Sequence, residues 1–386
     1  MTRPLDELTH WMETHLDAYL ADLAELVNVD CGTSYKPGVD EVGSWCARFA
    51  VHMGATLEWI PQRDYGDILL ARWRGTGRGR ILLSAHLDTV YPIGTAAKRP
   101  LRREGNRLLG PGVADMKAGL LSGLYALQAL FALGMAHFEE IAYFFSSEEE
   151  VGSPVSRTWL QELAPHYDAG LVLEAGRPDG SVVVARKGGG FLRVCVEGRE
   201  AHTGVEPEKG ASAILELAHH IITLEALNGR VPGTTIKVTQ VQGGTARNVV
   251  PGAAEAGADV RVVDEAGRTA IEALIRETVA HTYIEGTQVR LEGEIDRPPW
   301  PPNEGTERLY TLARQIAHEL GFDIGAATSG GSSDGNFLVA GGLAVLDGLG
   351  PVGGLDHSPN EYLEVDSIVP RTVLLAELIR RLTAPA

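Results

Sequence analysis

One stretch, residues 110–134 (GPGVADMKAGLLSGLYALQALFALG), constrains the fold more than any other. Gly-Pro-Gly sets a tight turn, a single acid (Asp115) follows, and beyond Lys117 the run to Phe138 carries no acid, lysine or arginine. An acid at the start of a buried helix costs several kcal/mol if it stays unpaired. A cationic group is therefore expected against Asp115. The run is about as long as a bilayer span. However, Ser122, Gln128, His137 and three glycines interrupt it, it begins at a lysine, and no second such segment follows. The expectation is a helix packed inside a large α/β core.

A chain of 386 residues with 44% hydrophobic content suggests two domains and a sizeable core. The net charge of −17 argues against nucleic acid or an anionic membrane as partner. It leaves acids available as metal ligands, although most must be solvated surface. Cys31, Cys46 and Cys195 form no CxxC pair and read as reduced structural thiols. No apolar segment follows Met1-Thr-Arg-Pro, so no signal peptide is expected and the localisation reads as cytoplasmic.

Residues 6–28 carry apolar positions at helical spacing, and Asp40–Met53 reads as a second helix capped by Asp40. Residues 80–84, 141–145 and 169–173 are short apolar runs ending in polar residues, as buried parallel strands do. Ligand sites of such sheets lie at the carboxyl ends of the strands. His86, the acids 148–150 and Glu174 sit just past those ends. After residues 187–190 the pattern becomes strand (191–198), helix (210–227), strand (234–242), strand (255–263), helix (266–281) and strand (287–294). This βαββαβ order is that of a split ferredoxin-like unit. The proline run after Arg297 reads as a stiff hinge. A helix at 366–383 closes the chain. The expected organisation is an α/β catalytic domain (1–185 and 298–386) with an inserted ferredoxin-like α+β domain (186–297).

Several segments carry chemistry. SAHLDTV places His86 and Asp88 two apart, on one side if the strand continues. A carboxylate behind a histidine commonly fixes its tautomer and ring orientation at a metal, although His86 taken alone is equally a structural histidine. SSEEEVGS puts three acids at a strand end, where packed carboxylates need protons or metal. The glycine-rich loop 329–336, with Gly330 and Gly331, offers N–H groups suited to a carboxylate, but lacks the lysine of a phosphate loop. His357 follows a Gly- and Pro-rich turn. Together His86, Asp115, Glu150, Glu174 and His357 form a mixed His/carboxylate set suited to two Zn²⁺-like ions. Glu149 is left to activate a bridging water.

Read in order, SAHLDTV, GPGVADMKAG, SSEEEVGS, LEAG, AHTG, ARNVVP, ADVR and HSPNEY resemble the dinuclear zinc aminoacylase/glutamate carboxypeptidase family, metallopeptidase family 20. The resemblance implies a zinc-peptidase-like catalytic domain and two divalent ions, Zn²⁺ first, with Co²⁺ or Mn²⁺ as alternatives. Asp115 would bridge both ions. One ion would add His86 and Glu174, the other Glu150 and His357. Asp88 would orient His86, and Glu149 would be the general base. His202 resembles the family histidine that reaches into a neighbouring subunit's site to stabilise the oxyanion, which implies a homodimer through the inserted domain. Asn248, Arg261 and, more weakly, Arg297 match substrate-holding positions, Arg261 being suited to a terminal carboxylate. Glu148 stands where the family usually has Asp.

The expected function is metal-dependent amide hydrolysis on a small molecule or short peptide with a free carboxylate. The first choice is a carboxypeptidase releasing an amino acid such as glutamate. An N-acyl-amino-acid deacylase uses the same machinery, and a non-catalytic metal- or ligand-binding homologue is the remaining alternative.

Overall fold

The computed structural model describes residues 3–384. They divide into two compact units. The first comprises the chain up to Ala185, Pro302–Thr328 and the segment from Ser333 on, and the second comprises Arg186–Pro301 with Ser329–Ser332. Pro298–Pro301 thus stays with the second unit, where the buried Trp300 exchanges backbone hydrogen bonds with Arg186.

The first unit is built on a six-stranded sheet in the order Thr56–Ile60, Ile68–Arg74, Glu140–Ser146, Arg80–His86, Ala169–Val172, Val345–Leu346. The last four run parallel and the first two complete an antiparallel edge. Glu140–Ser146 is buried along its whole length, as a strand covered on both faces must be. Its one acid, Glu140, is matched by Arg74, Arg80 and the Tyr167 hydroxyl.

The uncharged run is the helix Ala118–Ala132, buried on almost every side. No helix among the described residues is long and apolar enough to cross a membrane. Gly119 and Gly123, one turn apart, set how near it comes to the sheet. A Cβ at Gly119 would lie 1.7 Å from the Leu173 carbonyl oxygen, and one at Gly123 2.6 Å from the Tyr143 hydroxyl. The helix is therefore pressed onto the strand end that carries Glu174.

Two expected boundaries move. The stretch 6–28 is two helices, Pro4–Thr14 and Leu16–Val27, interrupted at His15. There the Thr14 hydroxyl and the His15 ring both turn back to carbonyls of the preceding turn, competing with the helical ladder. Asp40 is not a cap: the helix spans Lys36–His52, and Pro37 stands in its first turn, where no N–H is needed. The Asp40 carboxylate instead accepts the Asp67 N–H at 2.7 Å.

The second unit has strand order Thr235–Gly243, Ala253–Val262, Gly188–Glu197, Gln288–Arg297, antiparallel throughout, with helices Ala213–Glu225 and Glu265–Val279. This is the ferredoxin-like arrangement. Leu192, Val194 and Val196 point into its core and alternate with polar or exposed positions.

Candidate metal centre

In the first unit each candidate ligand sits where regular backbone ends. His86 is the last residue of its strand, Glu149 and Glu150 begin a short 3-10 turn after Ser146, and Glu174 lies just past Val172. Neighbouring parallel strands bring these positions to one edge of the sheet. Asp115 comes from the irregular turn Val113–Lys117 that opens onto the central helix. His357 comes from a loop and has a positive φ of 61°, with Leu355 at 59°. Such a conformation costs a non-glycine residue about 1–3 kcal/mol and clusters at functional sites.

Asp115 is the hub. Its Oδ1 lies 2.9 Å from His86 Nε2 and its Oδ2 3.0 Å from His357 Nε2. The cationic partner expected of this acid is a pair of imidazoles, one on each oxygen. His357 Nε2 is also 3.1 Å from Glu150 Oε2, and His86 Nε2 is 3.8 Å from Glu174 Oε1. Ligand atoms of His86, Asp115 and Glu150 all lie within 4.8 Å of one another.

The electrostatics match that crowding. Burial alone would raise Asp115, but hydrogen bonds from His357 and His86 hold it well below the usual carboxylate range. Burial pushes Glu150 up to about 7, with the Asp115 charge adding to the effect and His357 opposing it. Glu174 is driven well above its ordinary value by burial and then by Asp115. His357 is raised to about 11 by its bonds to Asp115 and Glu150. Burial works against protonation of His86, yet Asp115, Asp88 and Glu174 raise it well above the ordinary histidine value. Carboxylates forced together out of water compete for too little positive charge, a deficit that divalent cations supply. The donors are imidazole nitrogens and carboxylate oxygens, the set that suits Zn²⁺. The residues fit a metal centre.

The surrounding groups are ordered around these ligands. The strand stops at His86, so Asp88 is not its alternate residue. His86 Nδ1 faces the main-chain oxygen of Asp88 at 2.9 Å and the carboxylate Oδ1 at 3.5 Å. That carboxylate also accepts from the Thr33 hydroxyl at 2.6 Å and from the N–H groups of Glu149 and Glu150 at 3.2 and 3.3 Å. Asp88 thus ties His86 to the acidic loop. Thr33 carried no signal in the sequence, because a lone threonine in a loop is unremarkable. Glu148 is fully buried and turns away from the cluster. It accepts from the hydroxyls of Ser147 and Ser156 and the N–H groups of Ser147, Val155 and Ser156. It folds the loop that presents Glu149 and Glu150. Glu149 is buried as well.

The other candidates lie in the second unit. His202 and Asn248 are exposed and are joined through backbone, Thr203 N–H donating to the Asn248 carbonyl at 3.1 Å. Arg261 and Arg297 both register opposite Gly189, on the strands that flank it. The guanidinium of Arg261 is held by both carboxylate oxygens of Asp259 at 2.8 Å, and Arg297 donates to Ser332 Oγ at 3.2 Å. Gly331 departs from expectation: its N–H donates to Ser329 Oγ at 3.1 Å and its carbonyl accepts from Arg186. Gly330 is open on its Cα side.

The family model for peptidase family M20/M25/M40 matches residues 82–381. The chain belongs to that family. Among its relatives it is 28% identical to carboxypeptidase G2 of Pseudomonas sp. (strain RS-16) over 372 residues, covering 95% of this chain and 90% of the relative. It is 27% identical to succinyl-diaminopimelate desuccinylase of Azoarcus sp. (strain BH72) over 376 residues, covering 91% of this chain and 96% of the relative. Among solved structures it resembles aminopeptidase PepT from Bacillus cereus ATCC 10987 at a TM-score of 0.77 and 23% identity, over 96% of this chain and 99% of that one. The metallo-carboxypeptidase Sso-CP2 from Sulfolobus solfataricus gives 0.78 at 16% identity, over 95% and 99%. The enzyme is accordingly a hydrolase of amide bonds on the M20 peptidase fold.

Proposed function

We propose that the enzyme is a cytosolic dinuclear metallo-carboxypeptidase that releases a C-terminal amino acid, with glutamate the leading candidate. One observation carries this reading: the Asp115 carboxylate lies between His86 and His357, and each imidazole has a further acid beside it. Asp115 would be shared by two divalent ions, His86 and Glu174 completing one set and Glu150 and His357 the other. Divalent ions such as Zn²⁺ held by these residues would acidify the attacking water and polarise the scissile carbonyl. Glu149 would accept the proton of the attacking water and deliver it to the leaving nitrogen. Asp88 holds His86 Nδ1 and the acidic loop in register. In the inserted domain Arg261 and Arg297 receive the substrate carboxylate, which displaces Asp259 from the Arg261 fork, Asn248 holds the scissile amide and His202 stabilises the oxyanion. Glycines 330 and 331 border the carboxylate.

Similarity to a carboxypeptidase favours a peptide-like substrate, whereas similarity at the same level to a desuccinylase favours an N-acyl amino acid. Both substrate types end in a carboxylate, so the arginines do not separate them. A Zn²⁺- or Co²⁺-loaded activity panel of folyl- and acyl-glutamates, dipeptides, N-acetyl- and N-succinyl-amino acids does. Preferred turnover of the glutamate conjugates is the expected result. Preference for N-succinyl or N-acetyl substrates would make it a deacylase, and no turnover on any member would overturn both readings and point to a different amide substrate.

A further inference from the structure

Four residues beyond His357, Glu361 is a buried acid, 1% exposed, to which neither the metal set nor the proton path gives a role. Its carboxylate is filled from the Asp115 turn. Oε1 accepts the N–H groups of Ala114 at 2.8 Å and Asp115 at 3.1 Å. Oε2 accepts the N–H of Gly112 at 3.0 Å and the Tyr91 hydroxyl at 2.7 Å. Gly112 is left-handed, with φ of 71°, so the three N–H groups curve round a single point. Such a nest binds anions, and here the anion is the chain's own. The Tyr91 hydroxyl is also 2.8 Å from the Ser358 carbonyl, in the loop that carries His357.

We propose that Glu361 is a positioning residue for the metal centre, setting the aim of the Asp115 carboxylate relative to His357. Two features distinguish it from a general loop fastener. One of its bonds ends on the N–H of Asp115 itself, next to the torsions that direct Oδ1 to His86 and Oδ2 to His357. It also belongs to the loop that supplies His357, so one carboxylate fixes two members of the cluster relative to each other. Groups that orient metal ligands in this way are typically worth about 10–100-fold in metal affinity or activity. The inference rests on the dinuclear reading above.

Glu361→Gln is the discriminating variant. If its amide oxygen faces Ala114 and Asp115, its NH₂ can donate to Tyr91, whose hydroxyl then turns to Ser358. Only the Gly112 bond is lost, so the fold should survive while the turn relaxes. Ion stoichiometry and affinity are measured by chelator competition with Zn²⁺ and Co²⁺, well below the melting transition, with the melting temperature of the metal-free protein recorded separately. The expected result is about 10–100-fold weaker metal binding, an altered Co²⁺ visible spectrum, and a melting temperature within a few degrees of wild type. Wild-type affinity and spectrum in a folded Glu361→Gln would reduce Glu361 to a structural tie and overturn the proposal. If that variant does not fold, Glu361→Asp carries the test, because it keeps the charge but its shorter side chain cannot reach the Gly112, Ala114 and Asp115 N–H groups together. Weaker metal binding by a folded Glu361→Asp supports the proposal, and an unchanged affinity overturns it. A wild-type protein that takes up no ions overturns the dinuclear reading itself, an outcome separable from the other two.

Discussion

Glu149 and Glu150 are adjacent in sequence but differ in what surrounds them. Glu150 touches His357 and is raised to about 7, chiefly by burial, in a position that invites a cation. Glu149 lies beside it, buried and linked through its N–H to Asp88, and we assign it the proton. Glu149→Gln should therefore keep its full metal content and lose about 10²–10⁴ in turnover, the range of general acid–base contributions. Metal analysis alongside rates checks this, since loss of about one ion per chain would mean that the two acids exchange roles. Asp88 makes a complementary case. Asp88→Asn retains an acceptor but presents NH₂ where Thr33 or the loop N–H groups now donate. Metal affinity should fall by about 10–100-fold with the fold intact, as read by chelator titration. An unchanged affinity would return Asp88 to a purely structural role.

At the scale of elements, the central helix is where the core and the site meet. Gly119→Ala would drive a methyl into the Leu173 carbonyl, a backbone atom that cannot yield without moving Glu174. A destabilisation of at least about 1–3 kcal/mol is expected from such overpacking, together with weaker metal binding. A control Ala126→Gly, also inside the buried helix, should lower stability without that metal effect. Thermal melts and chelator titration of both variants separate the two. The second unit offers a pH test. Glu216 accepts the Tyr283 and Ile284 N–H groups and His220 Nε2. Burial opposes its charge, but these bonds hold its pKa below the ordinary value, and His220 is lowered chiefly by burial, with His219 and His281 adding to it. Both folded values are depressed, so the unfolded state binds protons first as acid is added. Stability is full above pH 6.5, the ordinary histidine value, and falls below it through His220 and then through Glu216. Melting temperatures between pH 7 and 4 should decline, and Glu216→Gln should flatten the acid limb. The same elements show what a sequence carries. The buried strands and the βαββαβ order were legible because apolar runs and their spacing are local. The break at His15, the start at Lys36 and the Gly119 contact were not. The first two depend on side chains competing with, or suiting, the first and last turns of helices, and the third on a strand far away in the chain. His86, Asp115, Glu150, Glu174 and His357 could be named from motifs, and the resemblance already put Asp115 between them; which imidazole meets which Asp115 oxygen is a property of the folded loops. Glu361 stands inside HSPNEY, yet that motif gave it no role, and Thr33 lies in no motif, because their work is done through backbone N–H groups and a neighbour's carboxylate.

At the scale of the whole molecule, the second unit carries exposed apolar residues at a sheet edge. Its strand Thr235–Gly243 lies at the edge of the sheet, and an unpaired edge invites pairing. Val241 on that strand and Ile214 and Ile222 on the helix Ala213–Glu225 are exposed at 64%, 45% and 67%. Ile214 adjoins the end of that edge, since a Cβ at Gly243 would lie 3.1 Å from its Cγ1. We propose that this face makes a two-fold homodimer and that His202 of one subunit acts in the site of the other. Ile222→Glu with Val241→Lys should yield a monomer by light scattering that keeps its metal but loses most of its activity. Sharing itself is tested by complementation. Glu149→Gln and His202→Asn should each be nearly inactive, for different reasons. In a mixed dimer one site would carry both lesions and the other neither. Random re-pairing makes about half the dimers mixed, with one good site of two, so activity should recover to about a quarter of wild type. Subunit exchange is established independently by mass mixing. If exchange is complete and the mixture stays at the level of the single variants, His202 serves its own chain or no site at all, and the shared-site model fails while the metal assignments stand.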